Sequence, residues 1–452
     1  MRQPTRADFR NLIELAVPLA AVQVGLMAMG LVDAAMVGRL SADALGAVAV
    51  AGVWFFAIST VGMGCVYALD PVIAQAHGAG DEPAITLGFQ RGLLIAVLVT
   101  LPTMVGLMVV EPVLRVTGQA AALVPLAGDY TVGILPGIFP YFGFLVLRQT
   151  LQAIGRVRQI LVLILLANLL NLGLDWALIY GHLGAPALGV FGAAVATTIS
   201  RWAMFIGLAV LTWGELARYA WPVRPETWRW EPLKRMLEIG LPIGLQILLE
   251  YGVFGIVGLL LGRAGSQSIA GHQIALNYAA ITFMVPLGVG SAAAVLVGRA
   301  IGANDSEGAR RVAVAALVIG VLFMVTTAIG FLALPGPLAA LYSEDASVVA
   351  IAASLIPIAG AFQVFDGSQA VAMGVLRGAG DTRFPVLINV VGYYAVGLPV
   401  GLGLGLGLGL GARGFWWGLV TGLAVVAVVL IWRVSRRLGR RLERLEIDRA
   451  RR

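Results

Sequence analysis

The sequence is poor in charged residues, cysteine and histidine. Only 12% of its 452 residues are charged, whereas a soluble domain has about 25%. The one cysteine, Cys65, excludes an intramolecular disulfide, and the histidines His77, His182 and His272 are too far apart in sequence for a structural zinc motif. The sequence has no GxxxxGK[ST] motif. These absences disfavour a soluble enzyme, a disulfide-stabilised domain and a pump driven directly by ATP.

Apolar residues dominate instead. They make up 59% of the chain, and the mean hydropathy is +0.91. Many apolar stretches are about 20 residues long, which is the length needed to cross a bilayer as a helix. Because backbone groups in lipid need hydrogen-bond partners within the chain, these stretches predict helices, and the chain is expected to be an all-α integral membrane protein. Twelve spans are predicted, starting near residues 11, 46, 85, 122, 159, 187, 236, 269, 310, 348, 384 and 413.

The distribution of Lys and Arg predicts the orientation of the spans. With the N-terminus inside, 26 of the 31 basic residues are on the cytoplasmic side, and Arg201 is near a membrane boundary. Both termini are therefore expected to lie in the cytoplasm. The net charge of +7 resides in short loops and the tail, so no nucleic-acid partner is predicted. Four residues lie outside: Arg39, Arg115, Arg263 and Arg413.

The two halves of the chain resemble each other at one constant offset in residue number. Glu14, Pro18 and Gly64 correspond to Glu238, Pro242 and Gly288, and HGAGD (77–81) corresponds to IGAND (301–305). Six spans per half predict two parallel repeats. The predicted divisions are an N-lobe at 1–213, a cytoplasmic linker at 214–235, a C-lobe at 236–436 and a basic tail at 437–452.

Acidic residues inside apolar spans are functional candidates, because charge in hydrocarbon costs several kcal/mol. In the first half these are Asp33 and Asp175, and Asn171 lies four residues before Asp175 on the same helix face. Thr197 or Thr198 in span six adds a hydroxyl. Oxygen ligands of this kind suit a hard cation or a proton held by a carboxylate, although structural hydrogen bonding is the alternative.

The second half has two more such acids, Glu250 and Asp366, with Phe362 four residues before Asp366. Gln273 and Asn277 share one face of span eight. They are candidate substrate contacts, and the alternative is that they join helices by hydrogen bonding.

Several motifs together resemble the multidrug and toxic compound extrusion (MATE) transporters, in particular the NorM-like bacterial branch. The resemblance implies two six-helix lobes around a central cleft and cation-coupled export of organic cations and amphipathic drugs by alternating access. It also implies a protein that is not an enzyme, acts as a monomer and needs no cofactor besides its coupling ion. The motifs are VDAAMVGRLS (32–41), GAGDE (78–82), LLEYG (248–252), AGHQIALN (270–277) and FQVFDGSQAVAMGVLRGAGDTR (362–383).

The resemblance also assigns roles to individual residues. Asp33, Asn171, Asp175 and Thr197 match the family's N-lobe cation site, and Glu250 and Asp366 match its C-lobe acids. Either set is a candidate sodium site. At position 362 the family often has Tyr, a proposed sodium ligand, and Phe362 has no oxygen to offer, so protons are favoured as the coupling ion.

Two other functions are alternatives. A lipid-linked sugar flippase shares the twelve-helix layout, but its anionic substrate favours buried arginines, and the deep charges here are mostly acidic. The other alternative is a membrane-embedded enzyme. An aspartyl protease of this kind would use the GxGD pattern at 378–381, but that pattern falls in a predicted loop. The repeat GLGLGLGLGLG (401–411) alternates like a strand, but it falls in span eleven and is predicted to be helical, with a packing or bending role.

Overall fold

The computed structural model describes residues 3–263, 265–440 and 442–448, and within them the chain is helical without a β-strand. Twelve helices there are long and apolar enough to cross a membrane, and each begins within six residues of its predicted start. The prediction of an all-α, twelve-span protein is therefore confirmed. The helices are α1 Arg6–Gly38, α2 Ala42–Gly78, α3 Glu82–Met108, α4 Leu123–Ala153, α5 Val157–Tyr180, α6 Gly189–Leu211, α7 Trp230–Gly262, α8 Ser266–Gly302, α9 Ser306–Ala333, α10 Ala346–Gly378, α11 Arg383–Gly407 and α12 Gly411–Leu438.

The helix surfaces expose large apolar side chains, as expected of a multi-pass membrane protein. Leu101 in α3, Val210 in α6 and Leu259 in α7 are 68%, 71% and 74% exposed. Monomeric soluble proteins rarely leave wide apolar patches in water. These surfaces therefore suit contact with lipid chains.

The duplicated loop motif has the same function in both halves. Asp81 and Asp305 accept hydrogen bonds from the backbone N–H groups of Ala84 and Gly308, at 3.0 and 2.7 Å, and so cap α3 and α9. The residue before each aspartate, Gly80 or Asn304, has a positive φ of 68° or 58°. Glycine and asparagine tolerate this conformation best. The motif is thus a repeated turn and helix cap.

The chain divides into two compact units. Among the described residues, one unit falls within 1–21 and 245–445, and the other falls within 22–244 and 446–452. The first parts of α1 and α7 therefore belong to a different unit from the rest of the same helix. The lobe bounds predicted from the sequence follow the chain alone and stay a prediction.

Each unit contains a helix crossing at backbone contact whose counterpart in the other unit is related to it by the repeat. A Cβ atom on Gly64 of α2 would lie 2.0 Å from the backbone N of Gly244 in α7. In the other unit, a Cβ on Gly288 of α8 would lie 2.5 Å from the backbone N of Ala20 in α1. Gly64 and Gly288 correspond in the repeat, and so do Ala20 and Gly244. The glycines are thus required by packing, because no side chain fits.

The linker between α6 and α7 is ordered against α3. It contains a helix at Trp213–Ala220 and a 3₁₀ turn at Pro225–Trp228. The side-chain amide of Gln90 donates to the Tyr219 and Pro222 carbonyls, both at 3.0 Å, and accepts from Thr227 Oγ1 at 2.7 Å. One buried glutamine thereby satisfies several backbone groups that the irregular linker leaves without helical partners.

Next to Gln90, the fully buried Arg91 holds the end of the chain. Its guanidinium makes a bidentate ion pair with Asp448, at 2.6 and 3.0 Å, and donates to the Glu226 carbonyl at 2.9 Å. Arg235 donates to the Ile447 carbonyl at 2.9 Å. The last described residues therefore pack on α3 and on the start of α7.

The glycine-rich run is helical as far as Gly407, as predicted, and then turns. α11 contains two stretches of wide, π-type turn, Val390–Gly397 and Gly403–Gly407. A Cβ on Gly414 or Gly418 of α12 would lie 2.4 Å from the backbone of α11. The packing role expected of this segment is therefore confirmed.

Candidate ion and substrate sites

In the unit of residues 22–244, α1, α5 and α6 bring together the four side chains predicted for the N-lobe site. Asn171 and Asp175 are completely buried, Asp33 is 6% exposed and Thr197 is 7% exposed. The Thr197 hydroxyl donates to Asp33 Oδ2 at 3.0 Å. Asp33 also interacts with Asp175 and Asn171. Two carboxyl groups from different helices therefore share one buried site.

Most polar atoms of this site lack a hydrogen-bond partner among the described residues. These atoms are Asp33 Oδ1, both carboxyl oxygens of Asp175, and the side-chain O and N of Asn171. A buried polar group without a partner costs about 1–3 kcal/mol, and more when it is charged. A cation or a shared proton would satisfy these oxygens, and all four of them are hard ligands.

The structure distinguishes the two threonines. The Thr198 hydroxyl donates to the Gly133 carbonyl at 2.8 Å and so serves the helix packing. Asn168 is likewise occupied, because its amide donates to the Gly25 carbonyl at 3.0 Å. Thr197 alone of the two threonines contacts an acid of the site.

Sequence reasoning missed Arg201 and Tyr130. Arg201 was expected near a membrane boundary, but it lies in the middle of α6, and its guanidinium carbon is 4.4 Å from the centre of the Phe55 ring. It also interacts electrostatically with Asp33. Its position four residues after Thr197 is the signal that could have placed it on the face of the site. Tyr130 interacts with Thr197 and gives no such signal in the sequence.

In the unit of residues 245–445, Glu250 of α7 and Asp366 of α10 interact electrostatically. Glu250 also interacts with Gln246 and Gln369, and Tyr393 donates to Gln369 Oε1 at 2.8 Å. The two predicted acids therefore belong to one polar cluster inside an otherwise apolar unit. The amides lie four residues before Glu250 and three after Asp366, which is the spacing that could have identified them.

Phe362 is part of an aromatic stack. It is 1% exposed, and its ring centre is 5.8 Å from that of Phe254 and 5.7 Å from that of Trp416, both edge-on. Edge-to-face pairs of this kind add about 0.5–1.5 kcal/mol beyond burial. The ring thus packs α10 against α7 and α12, and its part in ion selection stays a prediction.

The amide pair of α8 remains accessible. Gln273 is exposed and donates to Asn277 Oδ1 at 3.2 Å, within the same helix. The pair does not join α8 to another helix through that bond. Its role as a substrate contact therefore stays a prediction.

The MatE family model matches the chain twice, over residues 18–177 and 242–402. The two matches start at Pro18 and Pro242, a pair already related by the repeat, which confirms the predicted duplication. The chain is 38% identical over 447 residues to a probable multidrug resistance protein NorM of Rhizobium meliloti, covering 96% of this chain and 94% of that protein. It is 39% identical over 437 residues to a probable multidrug resistance protein NorM of Rhodopseudomonas palustris, covering 95% of this chain and 92% of that protein.

Solved structures share the fold. The eukaryotic MATE transporter AtDTX14 superposes with a TM-score of 0.87 at 23% identity, covering 96% of this chain and 98% of that one. At this identity the likeness concerns the fold. Together with the family match, it confirms the resemblance drawn from the sequence motifs.

Proposed function

Because this chain belongs to the MatE family of membrane transporters, we propose that it is a cation-coupled multidrug efflux antiporter. It exports organic cations and amphipathic drugs by alternating access. It resides in a bacterial inner membrane with both termini in the cytoplasm, as the distribution of arginines favours.

One observation carries the coupling part of this proposal. Asp33 and Asp175 lie together, with three of their four carboxyl oxygens buried and without hydrogen bonds among the described residues. Two buried carboxylates in contact repel each other strongly at low dielectric, and Arg201, which interacts with Asp33, balances only one of the two negative charges. The site is therefore suited to take up and release a cation or a proton.

The second polar cluster supports the drug part. While ionised, Glu250 and Asp366 attract an organic cation, and their neutralisation removes that attraction. Thermodynamic linkage then requires the coupling ion and the drug to weaken each other's binding, or to favour different conformations. Exchange of one for the other drives export without ATP.

We infer that the coupling ion is a proton. Sodium needs several oxygen ligands in a nearly fixed shell, whereas one carboxylate holds a proton. At position 362 the chain has a phenylalanine packed among aromatic rings, which offers no oxygen beside Asp366. Asp33 and Asp175 are the residues that would carry the proton, and together with Asn171 and Thr197 they are also the alternative sodium ligands.

Transport into everted vesicles that contain the wild-type protein tests both the export of drugs and the identity of the coupling ion. A proton gradient that is acidic inside is expected to drive accumulation of a fluorescent organic cation, and a protonophore is expected to abolish it. Accumulation sustained by a sodium gradient alone would contradict the proton assignment. No accumulation under either gradient would contradict cation-coupled export.

A further inference from the structure

A basic cavity lies at the end of α12, and its lining includes no residue of either acidic site. It is about 350 Å³ in volume and lies between the last turns of α12 and the loop after α10. Its arginines are spaced at three and four residues, which places them on one helix face. Its lining consists of Gly380, Asp381, Arg433, Arg436, Arg437 and Arg440.

The charges of this cavity do not balance within the described residues. Asp381 accepts a hydrogen bond from Arg433 Nε at 2.7 Å, and this ion pair neutralises one arginine. No carboxylate among the described residues pairs with Arg436, Arg437 or Arg440. Three guanidinium groups around one cavity repel each other unless an anion lies between them.

Capping of the helix does not account for these arginines. Cations are common in the last turn of a helix, where they bond the terminal carbonyls. Here Arg310 at the start of α9 donates to the carbonyls of Leu438 and Arg440. Because another residue caps these carbonyls, the cavity arginines remain available to a ligand.

The residues around the cavity are those typical of the lipid headgroup region. α12 is the last apolar helix, and Trp432 near its end is 48% exposed. The Arg436 guanidinium carbon lies 5.2 Å from the centre of its ring. Exposed tryptophan marks the interface between hydrocarbon and water, and basic residues on the same turn reach the headgroup region.

We propose that this cavity binds the phosphate group of an anionic phospholipid from the adjacent leaflet. Guanidinium groups match the geometry of phosphate oxygens and bond them in pairs. Basic cavities at the cytoplasmic ends of membrane helices are suited to such headgroups. The proposal concerns lipid binding and does not depend on the coupling ion or on the drugs exported.

Native mass spectrometry of the full chain in detergent, titrated with phosphatidylglycerol or phosphatidylcholine, tests the proposal. The wild type is expected to retain one phosphatidylglycerol per chain in preference to phosphatidylcholine. The variant R436Q/R437Q/R440Q is expected to bind phosphatidylglycerol about a hundredfold more weakly, because each surface arginine contributes roughly a factor of five. Equal retention by the wild type and this variant would overturn the proposal.

The matched control removes three exposed arginines elsewhere. Arg6, Arg158 and Arg229 are all exposed, and R6Q/R158Q/R229Q changes the net charge by the same amount. Retention is expected to be unchanged in this control, and an equal loss would show that binding depends on total charge and not on the cavity. If the triple cavity variant does not fold, the single variants serve the same test, each with about a fivefold loss.

A competition with inorganic phosphate separates a lipid from a free anion. Phosphate at millimolar concentration is expected to leave the bound phosphatidylglycerol in place, because the lipid adds acyl-chain contacts. Displacement by phosphate alone would assign the cavity to a soluble anion and overturn the lipid proposal.

Discussion

Asp33 and Asp175 differ from the loop acids in how their oxygens are satisfied. Asp81 and Asp305 accept backbone hydrogen bonds at helix starts, whereas Asp175 has no hydrogen-bond partner for either oxygen among the described residues. A loop carboxylate of the first kind is a cap with a fixed charge. A buried carboxyl group of the second kind needs a bound ion or a proton to satisfy its oxygens. Binding of that ion or proton can therefore be coupled to a change of conformation.

We expect Asp33→Asn and Asp175→Asn each to reduce drug efflux to the level of vesicles without transporter. An amide keeps the size of the side chain but can neither release a proton nor supply a charge to a cation. Drug accumulation in everted vesicles, normalised to folded protein, measures the effect. Asp129→Asn is the control, because Asp129 is an exposed acid of the same unit. Wild-type efflux by either site variant would contradict the assignment.

We expect Glu250→Gln and Asp366→Asn also to abolish coupled export while the protein stays folded. The two acids interact in one cluster, so removing either changes the charge that a drug cation meets. Binding of a fluorescent cation and efflux are the measurements, with the exposed loop acid Glu344 changed to Gln as the control. Unaltered cation affinity in both variants would exclude these acids from the drug site.

The sequence predicted the acids of both sites but not all of their neighbours. Asp33 and Glu250 were identifiable because charge is rare in apolar spans, a property of the chain itself. The contact between Thr197 and Asp33, and the approach of Tyr130, depend on how α1, α4 and α6 pack. Tertiary packing of that kind has no local signal, so the choice between Thr197 and Thr198 stayed open until the structure was known.

At the scale of helices, we expect Gly64→Ala to destabilise the protein by about 3 kcal/mol. The added methyl would overlap the backbone of Gly244, which cannot move as a side chain can. Thermal unfolding in detergent is the measurement. Gly52→Ala in the same helix is the control, because nothing lies within 4 Å of its added Cβ, and stability is expected to hold or to rise by up to about 1 kcal/mol. Equal melting temperatures for Gly64→Ala and the wild type would contradict the close backbone contact between α2 and α7 at this position.

Helix positions were predictable from sequence because span length and hydropathy are set by the membrane. The internal geometry of α11 was not predictable from the sequence. Its wide turns at Val390–Gly397 and Gly403–Gly407 lie on either side of the regular turn Leu398–Leu402, in the region where Gly414 and Gly418 of α12 lie against the α11 backbone. The glycine content indicated tight packing against another helix, but no sequence pattern marked where the turns of α11 widen.

At the scale of the whole molecule, the orientation in the membrane is open to a direct test. Cys65, the only cysteine, is 5% exposed, so the wild type is expected to react little with thiol reagents. In intact cells, a membrane-impermeant maleimide is expected to label Gln119→Cys, in the loop between α3 and α4, and not Trp228→Cys in the linker. Both positions are exposed, so the reverse labelling pattern would invert the predicted topology.

The assignment of chain segments to the two units bears on how such a molecule arose. Described residues up to Ala21 pack within the unit that contains the second repeat, and residues up to Gly244 pack within the unit that contains the first. The two break points, after Ala21 and after Gly244, are almost as far apart in sequence as the repeat-related pair Pro18 and Pro242. Reciprocal exchange of one segment between copies is the hallmark of a domain-swapped homodimer. Fusion of two swapped copies of a single-repeat ancestor would leave such an exchange of helix starts within one chain.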